Sequence, residues 1–86
     1  MIDQRREPRR TGSGGVRVWF ENPHRFEIRG RLVDVSDGGF RMSHDCASLQ
    51  AGQMVEFAHV EATGRARVVW NRIVDVRVET GFLVLA

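Results

Sequence analysis

The sequence predicts an all-β domain: a small antiparallel β-barrel of six strands with Greek-key-like order, preceded by a flexible N-terminal arm. Apolar and polar residues alternate with the period of two that is typical of strands. Turn-forming residues recur at a spacing of roughly ten residues, which favours a small barrel. No stretch of ten or more residues has the period of a helix. Closing the sheet into a barrel would remove exposed strand edges, which are a liability in a chain of only 86 residues.

The arm comes first. Residues 1–15 are polar, basic and rich in glycine, and they end in Thr11-Gly12-Ser13-Gly14-Gly15. Such a segment buries too little apolar surface to hold itself in place. We therefore expect a flexible arm and hinge over residues 1–15 and a barrel over residues 16–86.

The strands follow in order. Alternation predicts the first two over residues 16–21 and 26–32, where Gly30 suggests a bulge or a close approach of another backbone. A third begins at Phe40, after a tight turn at Asp37-Gly38-Gly39. The last three are expected over residues 54–61, 65–73 and 75–85. In the fifth strand, simple alternation places Val68 and Trp70 on one face and Val69 on the other.

Composition argues against several classes of protein. The chain has no run of some 18 apolar residues, and its basic start leads into glycines and serine, so we expect neither membrane insertion nor a secretory signal. The single cysteine, Cys46, fits a reducing compartment, and we expect a cytoplasmic protein. Cys46 and the three histidines are scattered, which predicts no metal site and no nucleophilic catalysis.

The basic residues are all arginines, thirteen in number, against a formal net charge of only +2. Genomic composition bias explains the absence of lysine equally well. The clustering is more informative, because four of the thirteen lie within Gln4-Arg5-Arg6-Glu7-Pro8-Arg9-Arg10. The planar guanidinium fork suits phosphate and stacks on rings. The alternative is a solvated charge run at a terminus.

A second polar motif follows about two dozen residues later, at Asp34-Val35-Ser36-Asp37-Gly38-Gly39. Alone it is typical of a capped β-turn, since Asp and Ser often bond their own backbone there. Together with the arginines upstream, it predicts a site for a nucleotide that carries phosphate.

The two motifs resemble those of the PilZ domain, the bacterial receptor module for cyclic di-GMP. That family has Arg-x-x-x-Arg near its start and then Asp/Asn-x-Ser-x-x-Gly. The first pattern fits two registers here, Arg5 with Arg9 or Arg6 with Arg10, and both stay open. The second fits residues 34–39. The resemblance continues in Gly30 to Ser36, in Gly52, and in two later segments, Ala66-Arg67-Val68-Val69-Trp70 and Thr80-Gly81-Phe82.

The resemblance implies a receptor or adaptor rather than an enzyme, with cyclic di-GMP as ligand and no other cofactor. It implies that the arm becomes ordered on binding and signals to an effector protein that the sequence does not identify. The implied binding residues are Arg5, Arg6, Arg9, Arg10, Asp34, Ser36, Gly38 and Gly39.

Two other functions remain open at this point. A small barrel can bind single-stranded nucleic acid through a basic groove and aromatic platforms. Here only two tryptophans and five phenylalanines are available, and the arginines cluster in the arm, so nucleic acid is not the expected partner. The other alternative is an interaction module that needs no ligand. Trp19 and Trp70 are expected to pack, although Trp70 could instead present its ring to a guanine.

Overall fold

The computed structural model describes residues 9–21 and 24–85, and every regular element in that part of the chain is a strand. Six of the strands correspond to the six that alternation predicts, and one short strand precedes them. In chain order the strands are β1 (Arg10–Thr11), β2 (Gly15–Glu21), β3 (Arg25–Ser36), β4 (Gly39–His44), β5 (Met54–His59), β6 (Ala62–Val74) and β7 (Arg77–Leu85).

The sheet closes on itself. Its hydrogen-bonded order is β3-β2-β5-β6-β7-β4, and β4 pairs back onto β3, with every pairing antiparallel. After the β2–β3 and β3–β4 hairpins, the chain crosses to lay β5 beside β2. The neighbouring order β5-β2-β3-β4 is that of a Greek key. The prediction of a closed, six-stranded antiparallel barrel is therefore confirmed.

The additional strand, β1, was not predicted. It pairs with the C-terminal part of β3, with Arg10 opposite Val35, on the side where β2 pairs with the N-terminal part. Between the two, the amide of Gly12 donates to the carbonyl of Val33 at 3.0 Å. This contact brings residues 9–14 against the barrel. The division into an arm of residues 1–15 and a barrel of residues 16–86 stays a prediction, because residues 1–8 lie outside the described residues.

Apolar side chains of all six barrel strands fill the interior. Phe40 lies at its centre, with its ring stacked on Phe82 at 4.6 Å and tilted against Phe57 at 4.8 Å. These rings are almost completely removed from water. Burial of apolar surface of this kind makes the main contribution to the stability of a barrel this small. The buried apolar side chains of this cluster are Val16, Val18, Ile28, Leu32, Val35, Phe40, Met42, Leu49, Val55, Phe57, Ala66, Val68 and Phe82.

Two irregularities decide which side chains face outward. The register between β3 and β4 shifts between Leu32 and Asp34, which leaves Val33 as an extra residue. The register between β6 and β7 shifts in the same way around Val69.

Gly30 allows two backbones to approach closely, since a Cβ there would lie 2.2 Å from the carbonyl oxygen of Ser43. Of the two readings of Gly30, close backbone approach is the one that the structure shows.

Candidate functional site

The outer face of β3, β4, β7 and β6 carries the polar residues of the second motif. Paired residues share a face of an antiparallel sheet, so each row of partners across these strands projects to one side. One row runs Asp34, Arg41, Gly81, Trp70, and the next runs Ser36, Gly39, Leu83, Arg67. Because Leu32 and Val35 are buried in the core, the extra residue Val33 puts Asp34 and Ser36 on the outside.

Asp34 is the centre of a cluster of charges. Arg9 donates to its Oδ1 atom from Nε at 3.1 Å and from Nη2 at 2.8 Å. Arg41, its partner across the strands, donates from Nε to Oδ1 at 3.0 Å and to Oδ2 at 2.9 Å, and also from Nη2 to Oδ2. A carboxylate offers about four lone-pair sites. The acceptor capacity of Asp34 is therefore filled by the two guanidinium groups.

The ionisation of Asp34 follows from these contacts. Burial alone raises the pKa of the carboxyl group, since Asp34 is only 8% exposed. The hydrogen bonds from Arg41 and Arg9 outweigh burial, and the pKa lies below its ordinary value of 3.8. Asp34 is thus an anion at neutral pH and holds both arginines in place.

The charge cluster continues from Arg41 toward β6. Nη1 of Arg41 lies 3.6 Å from Oε1 of Glu79 on β7. The same oxygen accepts from Nη2 of Arg72 at 2.8 Å. The guanidinium of Arg72 then lies 5.3 Å from the ring centre of Trp70, a cation–π distance. Contacts between charged side chains and this ring therefore connect Asp34 with Trp70.

The turn between β3 and β4 is tightly packed. The hydroxyl of Ser36 donates to the carbonyl of Gly39 at 3.4 Å, so its side chain caps its own turn. The carbonyl of Gly38 accepts from the amide of Val84 at 2.9 Å. A Cβ at Gly39 would lie 2.3 Å from the carbonyl oxygen of Phe82. Glycine at position 39 lets β4 lie directly against β7 beside the turn.

A cavity of about 300 Å³ opens beside this turn. It brings together Arg9, Ser36, Gly38 and Gly39 from the two sequence motifs. Trp70 contributes an aromatic wall that neither motif contains. The cavity thus combines a cation, a hydroxyl, the backbone of two glycines and an aromatic ring, a combination suited to a ligand with a phosphate and a flat base.

Arg10 points elsewhere, because consecutive residues of an extended chain project to opposite sides. Its Nη2 atom contacts Oε1 of Glu61 at 2.5 Å. It lines a second cavity of about 180 Å³, which also includes Ser36 and Gly39. Arg9 and Arg10 therefore flank the turn in two separate cavities. Arg5 and Arg6 lie outside the described residues, and both registers of the arginine motif stay predictions.

Two residues near the site are not among the predicted binding residues, although the sequence leaves open that Trp70 presents its ring to a guanine. Trp70 was assigned to the same face as Val68, which is wrong: Val68 is buried in the core, and the bulge at Val69 turns Trp70 outward onto Gly81. A Cβ at Gly81 would lie 2.4 Å from Cε2 of Trp70, so the indole rests directly on the strand. Arg41 lies outside both motifs, and only its pairing opposite Asp34 reveals it.

Within residues 9–21 and 24–85, no three histidine, cysteine, aspartate or glutamate side chains come together as a metal site. The same ranges contain no helix able to cross a membrane. Cys46 is half-buried, and its Sγ atom lies 3.0 Å from the hydroxyl of Ser48.

Comparison with known proteins identifies the fold. The crystal structure of YcgR from Escherichia coli in complex with c-di-GMP matches with a TM-score of 0.69 at 21% sequence identity. The match covers 98% of this chain and 39% of the YcgR chain. No model of a protein family matches the sequence, and no curated protein matches it either. YcgR is a PilZ-domain protein, so this chain has a PilZ-like fold, as the resemblance predicted.

Proposed function

We propose that this protein is a receptor for cyclic di-GMP that binds the dinucleotide on the outer face of β3, β4, β7 and β6. One observation supports the proposal most directly: Arg9, Ser36, Gly38, Gly39 and Trp70 line a single cavity. Residues from two motifs, 27 positions apart at Arg9 and Ser36, meet there together with an aromatic ring. The PilZ-like fold, shared with a protein solved with this ligand, agrees with the proposal.

The chemistry of the ligand fits these side chains. Cyclic di-GMP carries two phosphodiester anions and two guanines. A guanidinium group binds phosphate through paired, charge-assisted hydrogen bonds and also donates to O6 and N7 of guanine. The carboxylate of Asp34 is suited to accept from N1–H and N2–H of guanine. The ring of Trp70, which rests on Gly81 and has the guanidinium of Arg72 over it, supplies an aromatic wall of the cavity.

Binding then requires an exchange of partners at Asp34. Both of its oxygens already accept hydrogen bonds from Arg9 and Arg41. For a guanine to reach Asp34, one guanidinium must leave, and Arg9 is the one at the edge of the cavity. A phosphate provides Arg9 with a replacement anion, so its charge remains compensated.

The proposal includes a switch in the arm. Arg5 and Arg6 belong to the segment that precedes Arg9, and in the proposed complex they close over the nucleotide together with Arg10. Ordering a segment costs conformational entropy of about 1–2 kcal/mol per residue, which the ligand contacts must exceed. The closed arm presents a new surface to an effector protein in the cytoplasm. The protein acts by binding, without catalysis.

Isothermal titration calorimetry with cyclic di-GMP tests this function. Arg9→Ala and Ser36→Ala are expected to weaken binding at least tenfold. A hydrogen bond to a charged group contributes about 1.5–3 kcal/mol, and 1.4 kcal/mol is a factor of ten. Arg77→Ala is the matched control, because Arg77 is a partly exposed arginine that contacts Ser43 and Asp45, away from the cavity. It should retain the affinity of the wild-type protein.

Three different results would contradict the receptor proposal or the location of its site. No heat of binding with the folded wild-type protein would refute the receptor proposal and favour an interaction module that needs no ligand. Binding of single-stranded oligonucleotides that falls with salt and is unaffected by Ser36→Ala would favour the nucleic-acid alternative. Equal affinities for Arg9→Ala, Ser36→Ala and the control would place the nucleotide elsewhere on the barrel.

A further inference from the structure

One arginine on the outer face of β6 has no anionic partner. Within residues 9–21 and 24–85, the guanidinium of Arg67 makes no hydrogen bond, ion pair or ring contact. By contrast, Arg9, Arg41 and Arg72 each contact a carboxylate on the same outer face of the barrel. Arg67 is therefore a cation that no contact in the described part of the chain compensates.

The pairing of β6 fixes the direction in which Arg67 projects. Its neighbours in the strand, Ala66 and Val68, are buried in the core, so Arg67 faces outward. Its partner on β7 is Leu83, which lines the proposed nucleotide cavity. Residues directly opposite in an antiparallel pair have Cβ atoms about 4.5–5.5 Å apart, so the side chain of Arg67 starts at the rim of that cavity.

The surface of the cavity next to Arg67 is apolar. Leu83 and Val69 both line the cavity, and they are 48% and 49% exposed. Covering such side chains is favourable because it removes apolar surface from water, and the flat face of a purine can cover them. This apolar surface separates Arg67 from Arg9, which lines the same cavity.

Arg9 and Arg67 lie on opposite rims of the cavity. Arg9 is held by Asp34 on β3, and Arg67 lies three strand spacings away along the sheet, on β6. With about 4.8 Å between neighbouring strands, this separation is about 14 Å. A phosphate that binds Arg9 near Asp34 therefore leaves Arg67 available for a second anion.

We propose that Arg67 binds the second phosphodiester of cyclic di-GMP and completes the site from β6. This inference rests on the proposed function, and it adds to the site a residue that lies outside both sequence motifs. A guanidinium binds a phosphodiester through paired, charge-assisted hydrogen bonds, and the ligand carries one anion for each of the two arginines. Contact at both rims selects a ligand with two phosphodiesters.

Arg65 provides a matched comparison for a solvated cation with no role in binding. It lies two residues earlier in β6 and projects from the same face, but its partner across the strands is Glu56. Arg65 lines a different cavity beside Trp19, and the two cavities share no lining residue. The two arginines carry the same charge on the same strand, and of the two it is Arg67 that adjoins the proposed nucleotide site.

Isothermal titration calorimetry of the full chain with cyclic di-GMP tests this inference. Arg67→Gln is expected to weaken binding about tenfold, as loss of a hydrogen bond between charged groups does. The control Arg65→Gln should change the affinity less than twofold. If Arg9 and Arg67 bind different phosphates, the combined variant Arg9→Ala/Arg67→Gln should lose the product of the two single factors.

The outcomes separate this inference from the receptor function. Unchanged affinity in Arg67→Gln, with wild-type binding intact, overturns the inference and leaves the receptor function standing. An equal loss in Arg65→Gln also overturns it, because the effect would then come from general charge. A combined loss well below the product would assign both arginines to one phosphate and overturn the assignment to the second. Absence of binding by the wild-type protein refutes the receptor function and this inference with it.

Discussion

The ion pair between Asp34 and Arg41 provides the most direct quantitative test of the site. We consider the double-mutant cycle of Asp34→Ala, Arg41→Ala and the combined variant. Arg41 donates to both oxygens of Asp34, and the side chains are 30% and 11% exposed for Arg41 and Asp34. Charge-assisted hydrogen bonds contribute about 1.5–3 kcal/mol, and partial solvent screening reduces this, so we expect a coupling of about 1–2 kcal/mol.

The assay is urea unfolding of the four proteins at neutral pH. A matched control cycle uses Asp45 and Arg77, which form a pair at 3.2 Å in which Asp45 is 81% exposed. Exposed pairs contribute about 0–1 kcal/mol, and we expect under about 0.5 kcal/mol of coupling here. Equal coupling in the two cycles would refute the conclusion that Asp34 anchors a fixed arginine at the site.

The cycle also has a defined pH dependence. Hydrogen bonds from the arginines outweigh burial and place the pKa of folded Asp34 below its ordinary 3.8, so the folded protein binds the proton less readily than the unfolded chain. The contribution of Asp34 to stability is therefore present above the unfolded pKa and is lost as the pH falls through the folded one. Coupling between Asp34 and Arg41 should decline in acid. A coupling that is unchanged after acid titration of Asp34 would contradict the ionic interpretation.

Two further predictions concern residues outside the motifs. The substitution Gly81→Ala places a Cβ 2.4 Å from the indole of Trp70, so the ring must move away from β7. We expect the folded variant to bind cyclic di-GMP more weakly in calorimetry. An unchanged affinity would exclude Trp70 from the site. Burial first, and then the charge of Arg77, lowers the pKa of His44. Stability in urea should therefore fall as the pH drops below the ordinary 6.5, because the unfolded chain gains the proton more readily than the folded protein. Burial also lowers the pKa of His59, so His44→Gln should reduce this dependence without abolishing it, and an unchanged slope would contradict the assignment to His44.

Local features of the chain were enough to predict most of the fold. Alternation with a period of two located β2 to β7, and Asp37-Gly38 marked the turn between β3 and β4. These signals are local, because side chains on a strand alternate regardless of what the strand pairs with. β1 escaped prediction because Arg10 and Thr11 carry no apolar pattern. They are held by pairing with Val35 and Asp34, a contact distant in sequence.

The site was only partly predictable for the same reason. The motif at residues 34–39 was evident, and the structure places Asp34, Ser36 and Gly39 together on one face. The orientation of Trp70 was wrong because one extra residue, Val69, reverses the alternation that follows it. Bulges depend on how two strands pair, so a strand examined alone does not reveal them.

The sequence by itself determined the strand content, the tight glycine turn and the presence of two polar motifs, because each depends on neighbours a few residues apart. The tertiary structure decided which side chains meet. Pairing of β3 with β4 put Arg41 against Asp34, pairing of β6 with β7 put Trp70 over Gly81, and pairing of β1 with β3 brought Arg9 to Asp34. Register and bulges connect segments that are far apart in the chain, and they convert separate motifs into one surface.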